Sequence, residues 1–113
     1  SQLSDHKRRV AEAGCELCRS PANLHHLRTG AGMGQKSDDW SVIPLCHYHH
    51  QSGPMGEAFH AGSRKWQVAH GTEAEIYVRA MKRVYGDDMP QRVADIVKSC
   101  LRCYIHSKQE EVE

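Results

Sequence analysis

The chain has 113 residues, enough for one domain with one modest core, and its 39% hydrophobic and 26% charged residues are typical of a folded chain. Its 15 basic and 14 acidic side chains give a net charge of +1, which excludes a strongly basic DNA-coating protein but allows a local basic patch. No apolar run approaches the roughly 20 residues of a membrane span, and the first residues are polar, so we expect a cytoplasmic protein with no membrane partner.

The first half of the sequence predicts short elements: helices over 4–13 and 45–51, and strands over 23–27 and 40–44. Ser4 is the expected N-cap of the first helix, and Gly14 ends it. Three glycines in five residues between the strands predict a loop, and Pro44 is expected to end the second strand.

The second half predicts helices over 63–70, 72–85 and from Pro90 onward. Thr72 and Glu75 form a capping box at the start of the second of these helices. In the last helix, apolar residues recur at steps of three and four, which favours packing against another helix. Because nearly all histidines precede residue 66, we expect the chemistry in a domain over 1–86 and a helical extension over 87–113, packed on the same domain.

Cysteine and histidine spacing predicts a structural zinc ion. An odd count of five cysteines argues against a disulfide framework and for free thiolates. Cys15-x-x-Cys18 and Cys46-x-x-His49 are two ligand pairs, and zinc prefers a tetrahedral set of sulfur and nitrogen. The two pairs therefore predict one closed site that holds the chain on either side of the strands. The alternative is a set of buried cysteines without a metal beside a surface histidine. For the separate pair Cys100-x-x-Cys103 we expect a buried apolar role or a contact between helices, because cysteine behaves as a small hydrophobic residue there.

Further histidines suggest a second, open metal site. With His49 assigned to the zinc, His25, His26 and His50 remain. Consecutive strand residues point to opposite faces, so one of the first two can hold a metal while the other faces a substrate. A structural zinc needs no extra imidazoles, which favours a second site beside it.

The order of these motifs resembles an HNH (ββα-metal, His-Me finger) endonuclease, and more closely the Ref family, phage recombination-enhancement nucleases that act with the host RecA filament. The segments that carry the resemblance are 25–35, 43–46, 49–50 and 60–62. It implies an α+β fold with a zinc-stapled ββα-metal core, a flanking N-terminal helix and C-terminal helices. It also implies an HNH nuclease domain over 1–86, working in a bacterial or phage-infected cell.

The same resemblance implies a role for each candidate residue. His26 would be the general base and Asp39 would orient it, with the adjacent Asp38 as an alternative. A catalytic divalent ion, Mg²⁺ or Mn²⁺ with Zn²⁺ or Ni²⁺ as alternatives, would be held by His25, His50 and His60. The alternative for His60 is a polar residue in a connecting loop.

The implied partner is DNA, hydrolysed to 5′-phosphate and 3′-hydroxyl ends with a RecA-type filament as a possible second partner. Arg28 would contact a phosphate, with a solvated strand end as the alternative. Lys36, Arg64 and Lys65 are candidate DNA contacts; the alternative is a floppy insertion for the loop that carries Lys36, and solvated surface for the other two. Two other functions stay open at this point: a non-catalytic zinc module that binds nucleic acid or protein, and a homing or restriction-type HNH enzyme.

Overall fold

The computed structural model describes residues 1–28 and 38–112, with side chains through residue 102. Within these ranges the chain is a mixed α+β fold, as expected from the sequence, with elements α1 (Gln2–Glu12), β1 (Asn23–His26), β2 (Val42–Leu45), α2 (Ser63–His70), α3 (Glu73–Tyr85) and α4 (Gln91–Val112). Between β2 and α2 lie a π-helical turn at Tyr48–Ser52 and a 3₁₀ turn at Phe59–Ala61.

The helix boundaries follow local capping chemistry. At the start of α3 the Thr72 hydroxyl accepts the Glu75 backbone N–H at 3.1 Å, which satisfies a free helix donor. α2 covers 63–70, but its N-cap is Gly62, with no side-chain hydrogen bond there, so Ser63 is the first residue of the helix and does not cap it. α1 begins earlier than expected because Ser1, rather than Ser4, is the N-cap; its hydroxyl accepts the Ser4 N–H at 3.2 Å.

The expected helix over 45–51 is replaced by the π-helical turn. In this turn the hydrogen bonds span five residues instead of the four of an α-helix: the Gly53 N–H donates to the Tyr48 carbonyl at 2.9 Å. Such turns are rare and are frequently found at functional sites. Here the turn carries two consecutive histidines.

The two strands pair antiparallel, with His25 opposite Ile43 and Asn23 opposite Leu45. Pro44 lies inside β2 instead of ending it. Its carbonyl accepts the Glu16 N–H at 2.9 Å, away from β1, so the missing proline N–H leaves no gap in the pairing with β1. The same bond ties the Cys15-x-x-Cys18 turn to the sheet.

The hydrophobic core lies where β2, α1, α3 and α4 meet. β2 is buried along its whole length, and α4 packs against α3, as the spacing of its apolar residues predicted. The largest fully buried core side chains are Val10, Val42, Ile43, Leu45, Trp66, Ile76, Tyr77, Met81, Val93 and Ile96. Across the described ranges, no helix combines the length and the apolar character needed to cross a membrane. The division at residue 86 stays a prediction.

Arg83 fastens α3 to the end of α1. Its guanidinium donates to the Glu16 carboxylate at 2.8 Å and to the carbonyls of Ala13 and Gly14 at 2.7 and 2.8 Å. These carbonyls belong to the C-terminal end of α1, which has no intrahelical donors left for them. The planar fork of arginine therefore satisfies three acceptors at once.

We expect Arg83→Lys to lower the free energy of unfolding by about 1–3 kcal/mol, because a lysine cannot reach three acceptors and leaves Glu16 partly unpaired. Urea denaturation with excess zinc measures the loss. Lys82→Ala, at the exposed neighbouring position, should change stability by less than about 0.5 kcal/mol. Equal effects of the two variants would contradict the proposed anchoring.

A buried histidine joins α1 to the rest of the core. His6 is 1% exposed; its Nε2–H donates to the Trp40 carbonyl at 3.2 Å, and its Nδ1 accepts the Tyr85 hydroxyl at 2.6 Å. Both bonds use the neutral ring, and burial lowers the pKa of His6 below its usual 6.5.

This pKa predicts a pH dependence of stability. The unfolded chain binds the proton more tightly than the folded one, so the His6 contribution is complete above about pH 6.5 and decreases as the pH falls through that value. The advantage of the wild type over His6→Gln, measured by urea unfolding with excess zinc at pH 7.5 and 5.5, should therefore shrink at the lower pH. A constant difference would contradict this.

Candidate metal centres and functional site

The two predicted ligand pairs meet in one place, which we call the thiolate cluster (Cys15, Cys18, Cys46 and His49). The first two residues lie in the turn after α1, and the last two lie where β2 leads into the π-helical turn. The Sγ atoms of Cys18 and Cys46 are 3.7 Å apart, and His49 Nδ1 lies 3.7 and 3.3 Å from the Sγ atoms of Cys15 and Cys46.

These separations fit a tetrahedral ion. Zinc bonds of ~2.3 Å to sulfur and ~2.0–2.1 Å to nitrogen place two sulfurs about 3.8 Å apart and a sulfur and a nitrogen about 3.6 Å apart. The thiolate cluster can therefore hold a structural metal such as zinc, as predicted from the sequence. None of the four described cysteines, Cys15, Cys18, Cys46 and Cys100, forms a disulfide.

Local hydrogen bonds prepare the thiols for a cation. The bond between Cys18 and the Ser20 hydroxyl lowers the pKa of the Cys18 thiol to about 6, whereas burial raises the pKa of Cys15. The backbone N–H groups of Leu17 and His49 point at the sulfurs of Cys15 and Cys46, at 3.4 and 3.5 Å. Donors aimed at a sulfur stabilise its deprotonated form, which is the form that binds metal.

Three histidines form a second group, the imidazole cluster (His25, His50 and His60), whose ligand nitrogens all lie within 4.8 Å of one another. His50 Nε2 is 3.1 Å from His25 Nδ1 and 3.0 Å from His60 Nε2. Two nitrogens bound at ~2.0–2.1 Å to a tetrahedral ion would lie about 3.3 Å apart, so the arrangement fits an ion with three nitrogen ligands.

The environment keeps two of these rings neutral. Burial, followed by the charges of neighbouring histidines, lowers the pKa of His50 to about 4. Burial is also the first cause that lowers the pKa of His60. A neutral ring has a lone pair to offer a cation, so His50 is ready to act as a ligand at neutral pH. The structure therefore brings together all three residues expected at the second site, and their role as ligands stays a prediction.

His26, the second histidine of the pair on β1, lies in a different environment. Its Nε2 is 2.7 Å from Asp39 Oδ1, and both side chains are partly exposed to solvent. This hydrogen bond is the main cause that lowers the pKa of Asp39 below its usual value, with a smaller effect from Lys7 at 3.6 Å.

The neighbouring aspartate has another partner. Asp38 pairs with Arg92 of α4, and its Oδ1 accepts the Trp40 N–H at 2.9 Å. Of the two aspartates left open by the sequence, Asp39 is therefore the one that contacts His26. Asp38 stabilises the turn that presents Asp39.

A cavity of about 360 Å³ adjoins the imidazole cluster. Its lining includes Arg28, His60 and Ser63, together with Phe59, Ala61 and Gly62. Arg64 and Lys65 are exposed on the first turn of α2, beyond Ser63. Lys36 lies outside the described residues.

Two carboxylates with no role predicted from the sequence each lie next to a histidine of one of the clusters. Glu73 is fully buried and 2.8 Å from His25 Nε2, and Glu57 is 3.6 Å from His49 Nε2. Glu73 is 48 residues from His25 along the chain, and it follows a threonine cap where acidic residues are common for reasons of helix capping. The local capping pattern accounts for Glu75 and gives no sign that Glu73 contacts His25.

The fold and the clusters define a small α+β protein with a site that can hold a structural metal. Residues 2–86 match the model of a family described as "Protein of unknown function (DUF968)". Because the match covers most of the chain, the protein belongs to this family. No curated protein and no solved structure matches the chain. The family description assigns no activity, so the resemblance to HNH and Ref nucleases stays a prediction.

The thiolate cluster predicts the outcome of two cysteine substitutions. Cys46→Ser should lose zinc and several kcal/mol of folding free energy, because metal binding and folding are coupled in such sites. Cys100→Ala, which replaces a buried core thiol outside the cluster, should keep the zinc content of the wild type with a smaller loss of stability. Zinc content after gel filtration and thermal unfolding measure both, and full zinc retention by Cys46→Ser would contradict the site.

Proposed function

We propose that the protein is a metal-dependent DNA endonuclease of the ββα-metal (HNH) type. The observation that carries this proposal is the separation of two neighbouring histidines on β1. His25 joins the imidazole cluster, while His26 pairs with Asp39 in a partly exposed dyad. Metal-dependent phosphodiester hydrolysis uses both a site for a cation and a base beside it, and adjacent strand residues would supply the two functions at a fixed spacing.

His26 is the proposed general base. Asp39 is an acceptor, so the ring nitrogen that faces it, Nε2, carries the proton, and the Nδ1 lone pair is left to take a proton from water. The carboxylate also stabilises the imidazolium that forms, in the way a carboxylate orients a catalytic histidine elsewhere.

The cavity beside His60 is the proposed binding place of the phosphate. Arg28 would neutralise one of its oxygens, and Arg64 and Lys65 would contact the neighbouring backbone. A bound cation would stabilise the charge that develops on the phosphate. Water adds to phosphorus as one of its protons passes to His26, and the P–O3′ bond breaks; the departing 3′ oxygen takes a proton from a solvent water, which leaves a 5′-phosphate and a 3′-hydroxyl.

The donor set favours a particular class of ion. Within the described part of the chain, the cluster contains three imidazole nitrogens and no carboxylate. Imidazole suits ions such as Zn²⁺ and Ni²⁺, whereas Mg²⁺ prefers oxygen ligands. We therefore place Zn²⁺ or Ni²⁺ ahead of the Mg²⁺ or Mn²⁺ expected first from the sequence.

The near-zero net charge of the chain affects how strongly it would be attracted to DNA. With a net charge of +1, the chain has little sequence-independent attraction to the DNA backbone. A nuclease of this kind benefits from delivery by a partner already on DNA. We propose a RecA-type filament as that partner, following the resemblance to the Ref family.

A nicking assay on supercoiled and single-stranded DNA tests the proposal, with each of the four metals and with and without a RecA filament. We expect cleavage by the wild type and a loss of about 100-fold or more in His26→Ala, which lacks the base. His47→Ala removes an exposed histidine outside both clusters and should cleave like the wild type.

The outcomes separate the candidate functions. Cleavage by His26→Ala at the wild-type rate would remove His26 from the base role. An inactive wild type under every condition, with zinc bound and the fold intact, would favour the non-catalytic zinc module.

A further inference from the structure

Glu73 occupies an unusual position for a carboxylate. It is the first residue of α3, its side chain is 0% exposed, and its Oε2 lies 2.8 Å from His25 Nε2. The same oxygen accepts the Arg28 backbone N–H at 3.0 Å. Burying a charged carboxylate is costly unless hydrogen bonds and a nearby positive charge compensate for it.

These contacts determine which nitrogen of His25 faces the cluster. Glu73 Oε2 is already an acceptor for the Arg28 N–H, and as an acceptor it favours the His25 tautomer with the proton on Nε2. Nδ1 then carries a lone pair, and Nδ1 is the atom that lies 3.1 Å from His50 Nε2. The buried carboxylate thus presents His25 to the cluster as a ligand.

A cation in the cluster would also stabilise Glu73 as a buried carboxylate. Glu73 contacts Nε2 of His25, and the other ring nitrogen, Nδ1, would bind the ion. The positive charge of the ion would therefore act on the carboxylate through the His25 ring. Carboxylates behind a ligating histidine raise its basicity and fix its orientation. The bond to the Arg28 backbone also holds the end of β1 that carries the proposed phosphate contact.

We propose that Glu73 is the positioning residue of the imidazole cluster: it fixes His25 in the tautomer with the proton on Nε2 and strengthens its binding of a divalent transition ion. The proposal rests on the second metal site of the proposed function but not on nuclease activity. Loss of the nuclease proposal would therefore leave this one standing.

Metal titration tests the proposal in full-length protein whose thiolate cluster is loaded with Zn²⁺. Co²⁺ is the probe, because its visible absorption reports nitrogen coordination and its binding can be followed by calorimetry. We expect Glu73→Gln, which keeps the shape and removes the charge, to weaken Co²⁺ binding by about 10–100-fold.

Glu75→Gln is the matched control. It neutralises an exposed carboxylate two residues further along α3 without contact to His25, and it should bind Co²⁺ within about twofold of the wild type. Zinc content should be the same in all three proteins. Wild-type Co²⁺ affinity in Glu73→Gln, or an equal loss in both variants, would overturn the proposal.

A measurement on the unsubstituted protein keeps the proposal testable if Glu73→Gln fails to fold. Nitrogen-15 NMR of the histidine rings distinguishes the two neutral tautomers. His25 should show a protonated Nε2 and an unprotonated Nδ1 before metal is added, and a large shift of Nδ1 when Zn²⁺ binds. A proton on Nδ1, or no response of that nitrogen to the metal, would refute the assignment.

Discussion

The turn after β2 must deliver two consecutive histidines to two different clusters. His49 directs Nδ1 to the sulfurs of Cys15 and Cys46, while His50 directs Nε2 to the other two members of the imidazole cluster. Consecutive side chains on a helical turn point in different directions, so they cannot serve the same ion easily. Because Cys46 of the thiolate cluster lies two residues before this turn and its carbonyl accepts the His50 N–H at 2.9 Å, a metal there would fix the direction of His50 as well. The separation of the two sites follows from this one local geometry.

Helix α3 supports both clusters from behind. Glu73 at its first residue contacts His25, and Arg83 near its end holds the loop that carries Cys15. Ten residues of helix span about 15 Å, so these two contacts are a fixed distance apart. The apolar face between them, which includes Ile76 and Met81, is buried in the core. Polar anchoring and hydrophobic packing therefore act on one rigid element, which leaves the clusters little freedom to move relative to each other.

The two clusters differ in the chemistry they allow. Three thiols and one imidazole give a closed set of four ligands, which suits a structural ion. Three imidazoles leave room for a fourth ligand such as water or a phosphate oxygen, and the cavity lined by Arg28 and His60 lies beside them. The His26–Asp39 dyad adds a group that can accept a proton. For a family whose description names no function, this combination makes hydrolysis of a phosphodiester the reaction to test first.

The sequence by itself determined what depends on near neighbours. The Thr72 cap and the Cys-x-x-Cys and Cys-x-x-His pairs could all be predicted, because capping and ligand spacing act over three or four residues. Only the tertiary structure decided that Asp39, and not Asp38, contacts His26, that a π-helical turn replaces the expected helix, and that Glu73 and Arg83 anchor the site. The bond of the π-helical turn is local, but the other partners are 13 to 70 residues apart along the chain or depend on the packing of α4, and such polar groups meet only when the chain folds.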